Sequence, residues 1–132
     1  YESRGLGTGA AVADIDDDGI LELIVSHGES GMQPLTMYKA DIKTDFKYLR
    51  IKPINKFGAP ARGATVVLSS NLRKHAKTID AGSGYLCQME PVAHYGIRED
   101  EKNISVNVIW TNGLSETFNV NELNKTIEIR QK

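Results

Sequence analysis

Five carboxylates stand within nine residues of the sequence, in the stretch DIDDDGILE. Asp14, Asp16 and Asp18 alternate along the chain, a glycine follows, and Glu22 closes a D-x-D-x-D-G-x-x-E pattern. Calcium binds about six to eight oxygens, which come from flexible carboxylates and from backbone carbonyls. The pattern therefore predicts a calcium site that uses these four carboxylates and the carbonyl oxygen of Ile20.

Two other interpretations of this acidic loop are weaker. In a solvated turn, carboxylates about 4 Å apart would repel by roughly 4 kcal/mol at an effective dielectric of about 20, so converging carboxylates need a cation. An EF-hand would require helical flanks and a glutamate where Val25 stands, whereas GAAVA and LELIVS favour strands. Magnesium demands stricter geometry and ranks below calcium. We expect Asp17 to point outward.

The elements that position this loop are predicted to be strands. Short alternating apolar runs, separated by Gly, Asn, Asp and Pro, predict an all-β chain. The dipeptide Asn112-Gly113 predicts a type I′ hairpin turn, because both residues tolerate a positive φ. The polar stretch NVNEL at 119–123 predicts one helical turn at most. The predicted strands are GAAVADI, ELIVSH, LTMYKA, KYLRIKPI, ATVVLSS, HAKTID, PVAHYGI, NISVNVIW, SETFNV and KTIEIR.

A change in composition around residues 40–46 divides the chain into two predicted domains. Residues 1–42 hold the acidic loop and three strands, too few for an independent domain. Residues 43–132 hold about seven strands, which fit a β-sandwich or a barrel-like domain.

Charge and composition exclude several functions. The net charge of −1 over 132 residues provides no general attraction for nucleic acid, and the cluster RKHAK at 73–77 is expected to be a solvated face. No apolar run approaches the roughly 20 residues of a membrane span. Cys87 is the single cysteine, so no internal disulfide forms. The chain opens without Met or a leader, and we expect it to derive from a longer parent.

Two stretches carry a family resemblance. GTGAAVADIDDDGILELIVSHGES resembles an FG-GAP-type repeat of the integrin-like β-propeller, in which such a loop joins two strands of a blade and holds calcium. FGAPARGATVVLSS, IDAGSGYLCQMEPVAHYGI and VNVIWTNG are similar to the ASPIC and UnbV domain, and the two in this order resemble the cartilage acidic protein family.

The resemblance implies a secreted or cell-surface, non-enzymatic, calcium-binding protein of the adhesion or matrix type, here with a partial propeller blade. The repeat most often ends its ligand set with Asp, so Glu22 is a departure in geometry. An extracellular protein partner is implied, and the exposed edge of the partial blade would also allow a homodimer. The sequons at Asn103 and Asn124 would make it a glycoprotein.

Two alternatives remain open at this point. Tyr85 and Tyr95, if exposed beside the calcium loop, could stack on sugar rings in a carbohydrate-binding module. Ser83 and His94 are residue types of a hydrolase, but the elbow pattern G-x-S-x-G would need glycine at position 81, where Ala81 stands. A non-enzymatic function is therefore expected.

Overall fold

A computed structural model describes residues 7–28, 33–42, 46–80 and 82–132. The described residues form strands and no helix, so they contain no helix that could span a membrane. The all-β prediction is confirmed for this part of the chain. The strands are β1 (Gly7–Ala13), β2 (Glu22–His27), β3 (Thr36–Tyr38), β4 (Lys47–Ile54), β5 (Thr65–Ser69), β6 (Lys74–Thr78), β7 (Ala93–Ile97), β8 (Ser105–Ile109), β9 (Ser115–Asn119) and β10 (Lys125–Arg130).

The chain divides into two compact units. Unit 1 comprises Tyr1–Lys43 and Asp80–Glu90, and unit 2 comprises Thr44–Ile79 and Pro91–Lys132. The predicted boundary between residues 42 and 43 remains a prediction. The compact units differ from that prediction in two respects, because Lys43 and the segment Asp80–Glu90 both belong to unit 1.

Unit 1 is built on an antiparallel sheet of three strands in the order β1-β2-β3. The register pairs Val12 with Leu23 and Leu23 with Tyr38 across the sheet. These three apolar residues share one face, and each is more than a third exposed. The acidic loop is the connection between β1 and β2.

The segment Asp80–Glu90 contributes contacts to β1. The thiol of Cys87 donates a hydrogen bond of 3.0 Å to the carbonyl oxygen of Ala10, and the amide of Val12 lies 3.3 Å from the sulfur of Met89. Gly84 and Cys87 form an isolated bridge within the segment. A Cβ added to Gly84 would overlap Cys87 Sγ, so this close approach requires glycine.

Unit 2 is a β-sandwich of two sheets. Three strands form one sheet in the order β10-β4-β7, in which β4 is parallel to β10 and antiparallel to β7. Four antiparallel strands form the other in the order β6-β5-β8-β9. Pro53 lies within β4 beyond the last pair with β7, Ile51 with Ala93, so its missing N–H interrupts no bond to that strand.

The core of unit 2 comes from inward residues of both sheets. Its members alternate along β8, where Val106 and Val108 are fully buried, as a strand with one core face requires. Trp110, the single tryptophan, is 3 % exposed. The remaining buried members are Leu49, Ile51, Ala61, Ala64, Val66, Leu68, Ile79, Ala93, Tyr95, Ile97, Ile104 and Ile129.

A buried ion pair ties the end of β7 to the start of β6 in unit 2. Arg73 Nε donates a hydrogen bond of 2.9 Å to Glu101 Oε1, and the amide of Arg98 donates one of 3.3 Å to Glu101 Oε2. The Glu101 side chain is fully buried. Burial by itself would raise the pKa of Glu101, but the hydrogen bonds from Arg73 and Arg98 favour the ionised form and hold the pKa below its usual value.

The prediction of a type I′ turn in unit 2 is wrong, whereas the prediction of at most one helical turn at 119–123 agrees with the structure. Residues 119–123 form no helical turn, since Asn119 ends β9 and the amide of Val120 bonds to the carbonyl of Ile104. The hairpin between β8 and β9 forms, but only Gly113 of the Asn112-Gly113 pair has a positive φ, of 84°. The amide of Gly113 bonds to the carbonyl of Trp110, which makes a three-residue loop with a glycine bulge instead of a type I′ turn.

Candidate metal centre

The acidic loop is held in shape by its own carboxylates. Glu22 Oε2 accepts a hydrogen bond of 2.9 Å from the amide of Ile15, and Asp14 Oδ2 accepts one of 3.1 Å from the amide of Gly19. Asp18 Oδ1 accepts one of 2.8 Å from the amide of Ile20. One oxygen of each of these three carboxylates therefore fixes the backbone of the loop, and the bond from Asp18 to the amide two residues later is that of an Asx turn.

Three aspartates of the loop converge. Asp14, Asp16 and Asp18 each offer a carboxylate oxygen, and these oxygens all lie within 4.8 Å of one another. Asp14 is buried, whereas Asp16 and Asp18 are exposed, so the cluster opens to solvent on one side. We call these three residues with Glu22 the carboxylate cage.

Lys39 supplies the positive charge at this cage. Its ammonium contacts Asp16, lies 2.6 Å from Asp18 Oδ2, and lies 3.4 Å from Glu22 Oε1. A single cation therefore touches three of the four carboxylates, which places Glu22 beside the other members. Hydrogen bonds with Asp16 and Asp18 raise the pKa of Lys39, and the hydrogen bond from Lys39 lowers the pKa of Asp18.

Glu22 is the most deeply placed member of the cage, at 2 % exposed. Its Oε1 atom accepts no hydrogen bond from any described residue, and the ion-pair contact with Lys39 at 3.4 Å is too long for a good one. Burial of an ionised carboxylate is costly without a close counter-charge. Glu22 therefore carries a buried oxygen that accepts no hydrogen bond from the described residues and lies on the side of the Lys39 ammonium.

The donor set fits a hard divalent cation. All members are oxygen donors, as calcium and magnesium prefer, and the buried oxygen of Glu22 has no hydrogen bond that an ion would have to replace. The flanks of the loop, β1 and β2, are strands, which excludes an EF-hand. Ile20 is half-buried beside Asp18, and its carbonyl as a ligand stays a prediction. Asp17, with a φ of 58°, is exposed.

The sequence analysis did not identify Lys39. The antiparallel register that pairs Leu23 with Tyr38 places the next residue along, Lys39, across from Glu22. Lys39 follows β3 directly and its side chain is 42 % exposed. A strand pairing deduced between ELIVSH and LTMYKA would have provided the signal, since antiparallel partners lie opposite each other.

The residues of the alternative functions take structural positions within their own units. The Ser83 hydroxyl, in unit 1, donates a hydrogen bond of 2.8 Å to Asp80 Oδ2. His94, in unit 2, stacks on Tyr48 with ring centroids 6.1 Å apart. Tyr95 does not meet the condition of the carbohydrate alternative, because it is 2 % exposed and belongs to the core.

Comparison with known proteins gives a consistent result. A family model described as ASPIC and UnbV matches residues 55–132. Cartilage acidic protein 1 of Homo sapiens is 48 % identical over 131 residues, and the protein of the same name from Xenopus tropicalis is 49 % identical over 131 residues. Each match covers 97 % of this chain and 20 % of the relative. The chain thus spans about a fifth of the length of these relatives.

Proposed function

The chain belongs to the ASPIC and UnbV family, and from this premise we propose that it is a non-catalytic, calcium-stabilised part of an extracellular adhesion or matrix protein. In this proposal unit 1 is a partial blade of an FG-GAP-type propeller, and calcium locks the connection between β1 and β2. Unit 2 serves interaction with a protein partner. The curated relatives, named for cartilage, support an extracellular location.

The unsatisfied oxygen of Glu22 is the observation that carries the calcium proposal. A carboxylate that is 2 % exposed and lacks a hydrogen bond on one oxygen needs a strong counter-charge. Oxygens of Asp14, Asp16 and Asp18 lie within 4.8 Å of one another, and the Lys39 ammonium that lies 3.4 Å from Glu22 Oε1 also contacts Asp16 and Asp18, so a cation near this point would supply that charge. Extracellular calcium sites often bind at about 10⁻⁴ to 10⁻³ M, which suits a site that is partly open to solvent.

A structural function for the ion follows from its place in the fold. The cage joins the end of β1 to the start of β2, so the ion would cross-link these two strands of the sheet. An ion that binds only the folded state stabilises it by about 2.7 kcal/mol at 100 times its dissociation constant. Catalysis is not part of this proposal, since Ser83 and His94 have structural partners within their own units.

Carbohydrate binding is the weaker candidate. It relied on exposed aromatic rings near the loop, and the burial of Tyr95 removes one of them. Tyr85 remains 60 % exposed in unit 1. Of the two rings on which this candidate was based, only Tyr85 is exposed, and we prefer a protein partner.

Calcium titration of two matched variants tests the proposal. Asp16→Asn and Asp17→Asn each remove one charge from the same loop, but only Asp16 belongs to the cage. We expect calorimetric heat and increased thermal stability with calcium in the parent and in Asp17→Asn, and the loss of most of both in Asp16→Asn. An absence of heat and stabilisation in the parent at millimolar calcium would refute the proposal.

A further inference from the structure

We infer that Lys39 is a tethered competitor of the metal, because its ammonium neutralises the carboxylate cage without calcium and has to leave before calcium binds. This inference rests on the proposed calcium function. It assigns a second task to a residue that lies outside the acidic sequence pattern.

The position of the ammonium carries the first step. Lys39 Nζ contacts Asp16, Asp18 and Glu22 at once, and a single point can touch three carboxylates only where their oxygens converge. Calcium bonds to oxygens at about 2.3–2.6 Å, so the ion would need the same point. Two cations cannot share it, since a divalent and a monovalent positive charge about 4 Å apart repel by roughly 8 kcal/mol at an effective dielectric of about 20.

The unequal contacts of Lys39 carry the second step. Its ammonium lies close to the exposed Asp16 and Asp18, but it is 3.4 Å from the buried oxygen of Glu22. Glu22 Oε1 still accepts no hydrogen bond from the described residues. A single positive charge therefore satisfies the outer part of the cage and leaves the inner part incomplete. A divalent ion placed deeper would satisfy Glu22 better than Lys39 does.

The place of Lys39 in the chain makes its departure inexpensive. It lies just after β3, its side chain is 42 % exposed, and its four-carbon stem is flexible and its ammonium readily hydrated. The ammonium can move into water while the pair of Leu23 and Tyr38 stays in register. The apparent calcium affinity is then reduced by the fraction of molecules in which Lys39 vacates the cage.

The test compares the full chain with Lys39→Met and with a matched control, Lys74→Met. Both changes remove one positive charge, but Lys74 is exposed on β6 of unit 2. Without calcium, Lys39→Met should melt below the parent, because the cage loses its counter-charge. In calorimetric titration, Lys39→Met should bind calcium roughly three- to tenfold tighter than the parent, as expected for release from an exposed ion-pair network. Lys74→Met should match the parent in both measurements.

The outcomes separate this inference from the proposed function. If the parent and Lys39→Met bind calcium equally, or Lys39→Met binds it less tightly, calcium binding stands and the competition is refuted. If only Lys39→Met binds calcium, the competition stands and calcium binding by the natural chain is refuted. If neither binds, both are refuted.

A second measurement uses the unaltered chain, so that its result does not depend on whether the variant folds correctly. Acetylation by an amine-reactive reagent, read by mass spectrometry, reports the freedom of each lysine ammonium. Calcium should increase the labelling rate of Lys39 several-fold relative to Lys74. An unchanged or decreased rate at saturating calcium would overturn the inference.

Discussion

Tyr95 on β7 donates a hydrogen bond of 2.8 Å from its phenol to the carbonyl oxygen of Val66 on β5, and this bond joins the two sheets of unit 2. The phenol is the only polar group of a side chain that is 2 % exposed. His75 and Lys77 of β6 lie against the same ring. The bond therefore links the two sheets of the sandwich at a buried position.

Loss of this phenol should destabilise unit 2. Tyr95→Phe retains the ring and removes the donor, which should lower the free energy of unfolding by about 1 kcal/mol. Tyr95→Ala also removes the ring and should cost about 3–5 kcal/mol, the range for truncation of a large buried aromatic side chain to alanine. Urea unfolding followed by the fluorescence of Trp110, which reports on unit 2, measures both. An equal effect of the two variants would contradict the importance of the ring.

The same phenol predicts an alkaline limit to stability. Burial raises the pKa of Tyr95, because the ionised phenol would lose its hydration, whereas an unfolded tyrosine titrates near pH 10. A raised folded pKa gives stability that is complete below about pH 10 and is lost as the pH rises toward the folded pKa. The stability difference between the parent and Tyr95→Phe should therefore shrink above pH 10. A constant difference up to pH 11 would argue against a buried, protonated phenol.

Glu101 predicts the opposite pH dependence. Its hydrogen bonds from Arg73 and Arg98 lower its pKa against the effect of burial, so its contribution is present above about pH 4.3 and is lost at lower pH. Glu101→Gln should cost about 1–3 kcal/mol at pH 7, and the cost should shrink below pH 4. Glu99→Gln, an exposed neighbour, is the control and should cost little. Urea titrations at several pH values measure the difference, and a pH-independent cost would contradict the ionised pair.

The contact between Gly84 and Cys87 predicts a rescue. Gly84→Ala places a methyl group against Cys87 Sγ and should destabilise unit 1 by about 1–3 kcal/mol through overpacking. Gly96→Ala, where a Cβ would meet nothing within 4 Å, should be close to neutral. Adding Cys87→Ala to Gly84→Ala should restore most of the loss. Hydrogen exchange of the β1 amides reports on unit 1, and a double variant no better than Gly84→Ala would refute this packing.

The choice of metal provides another test. Magnesium demands near-ideal octahedral geometry and gives up its waters reluctantly, while the cage relies on Glu22 at depth and on flexible carboxylates at the surface. At equal millimolar concentrations, calcium should therefore raise the thermal midpoint more than magnesium does. Potassium chloride at matched ionic strength controls for screening, which acts on exposed charges alone. Equal stabilisation by the three salts would indicate screening instead of a site.

The sequence predicted the strands well because their signal is local. Alternation of apolar residues and the turn residues between them identified the positions of all ten described strands, and the flanks of the acidic loop with them. The convergence of Asp14, Asp16 and Asp18 also follows from their spacing. These features depend on neighbours within a few residues, which is the range over which a sequence pattern acts.

The features that the sequence analysis missed depend on distant contacts. Lys39 reaches the cage only through the pairing of β2 with β3. The hydrogen bond from the Tyr95 phenol to the carbonyl of Val66 likewise joins two strands that lie far apart in the sequence. Strand order and register decide such details, and neither is visible in a single run of residues.

The assignment of Asp80–Glu90 to unit 1 has a consequence for inheritance. Unit 2 is interrupted in the sequence by this segment, so no single cut of the gene separates the two units. The family match at 55–132 likewise carries the segment along with unit 2. A recombination event that moved unit 2 alone would bring with it eleven residues from its neighbour and leave that neighbour incomplete.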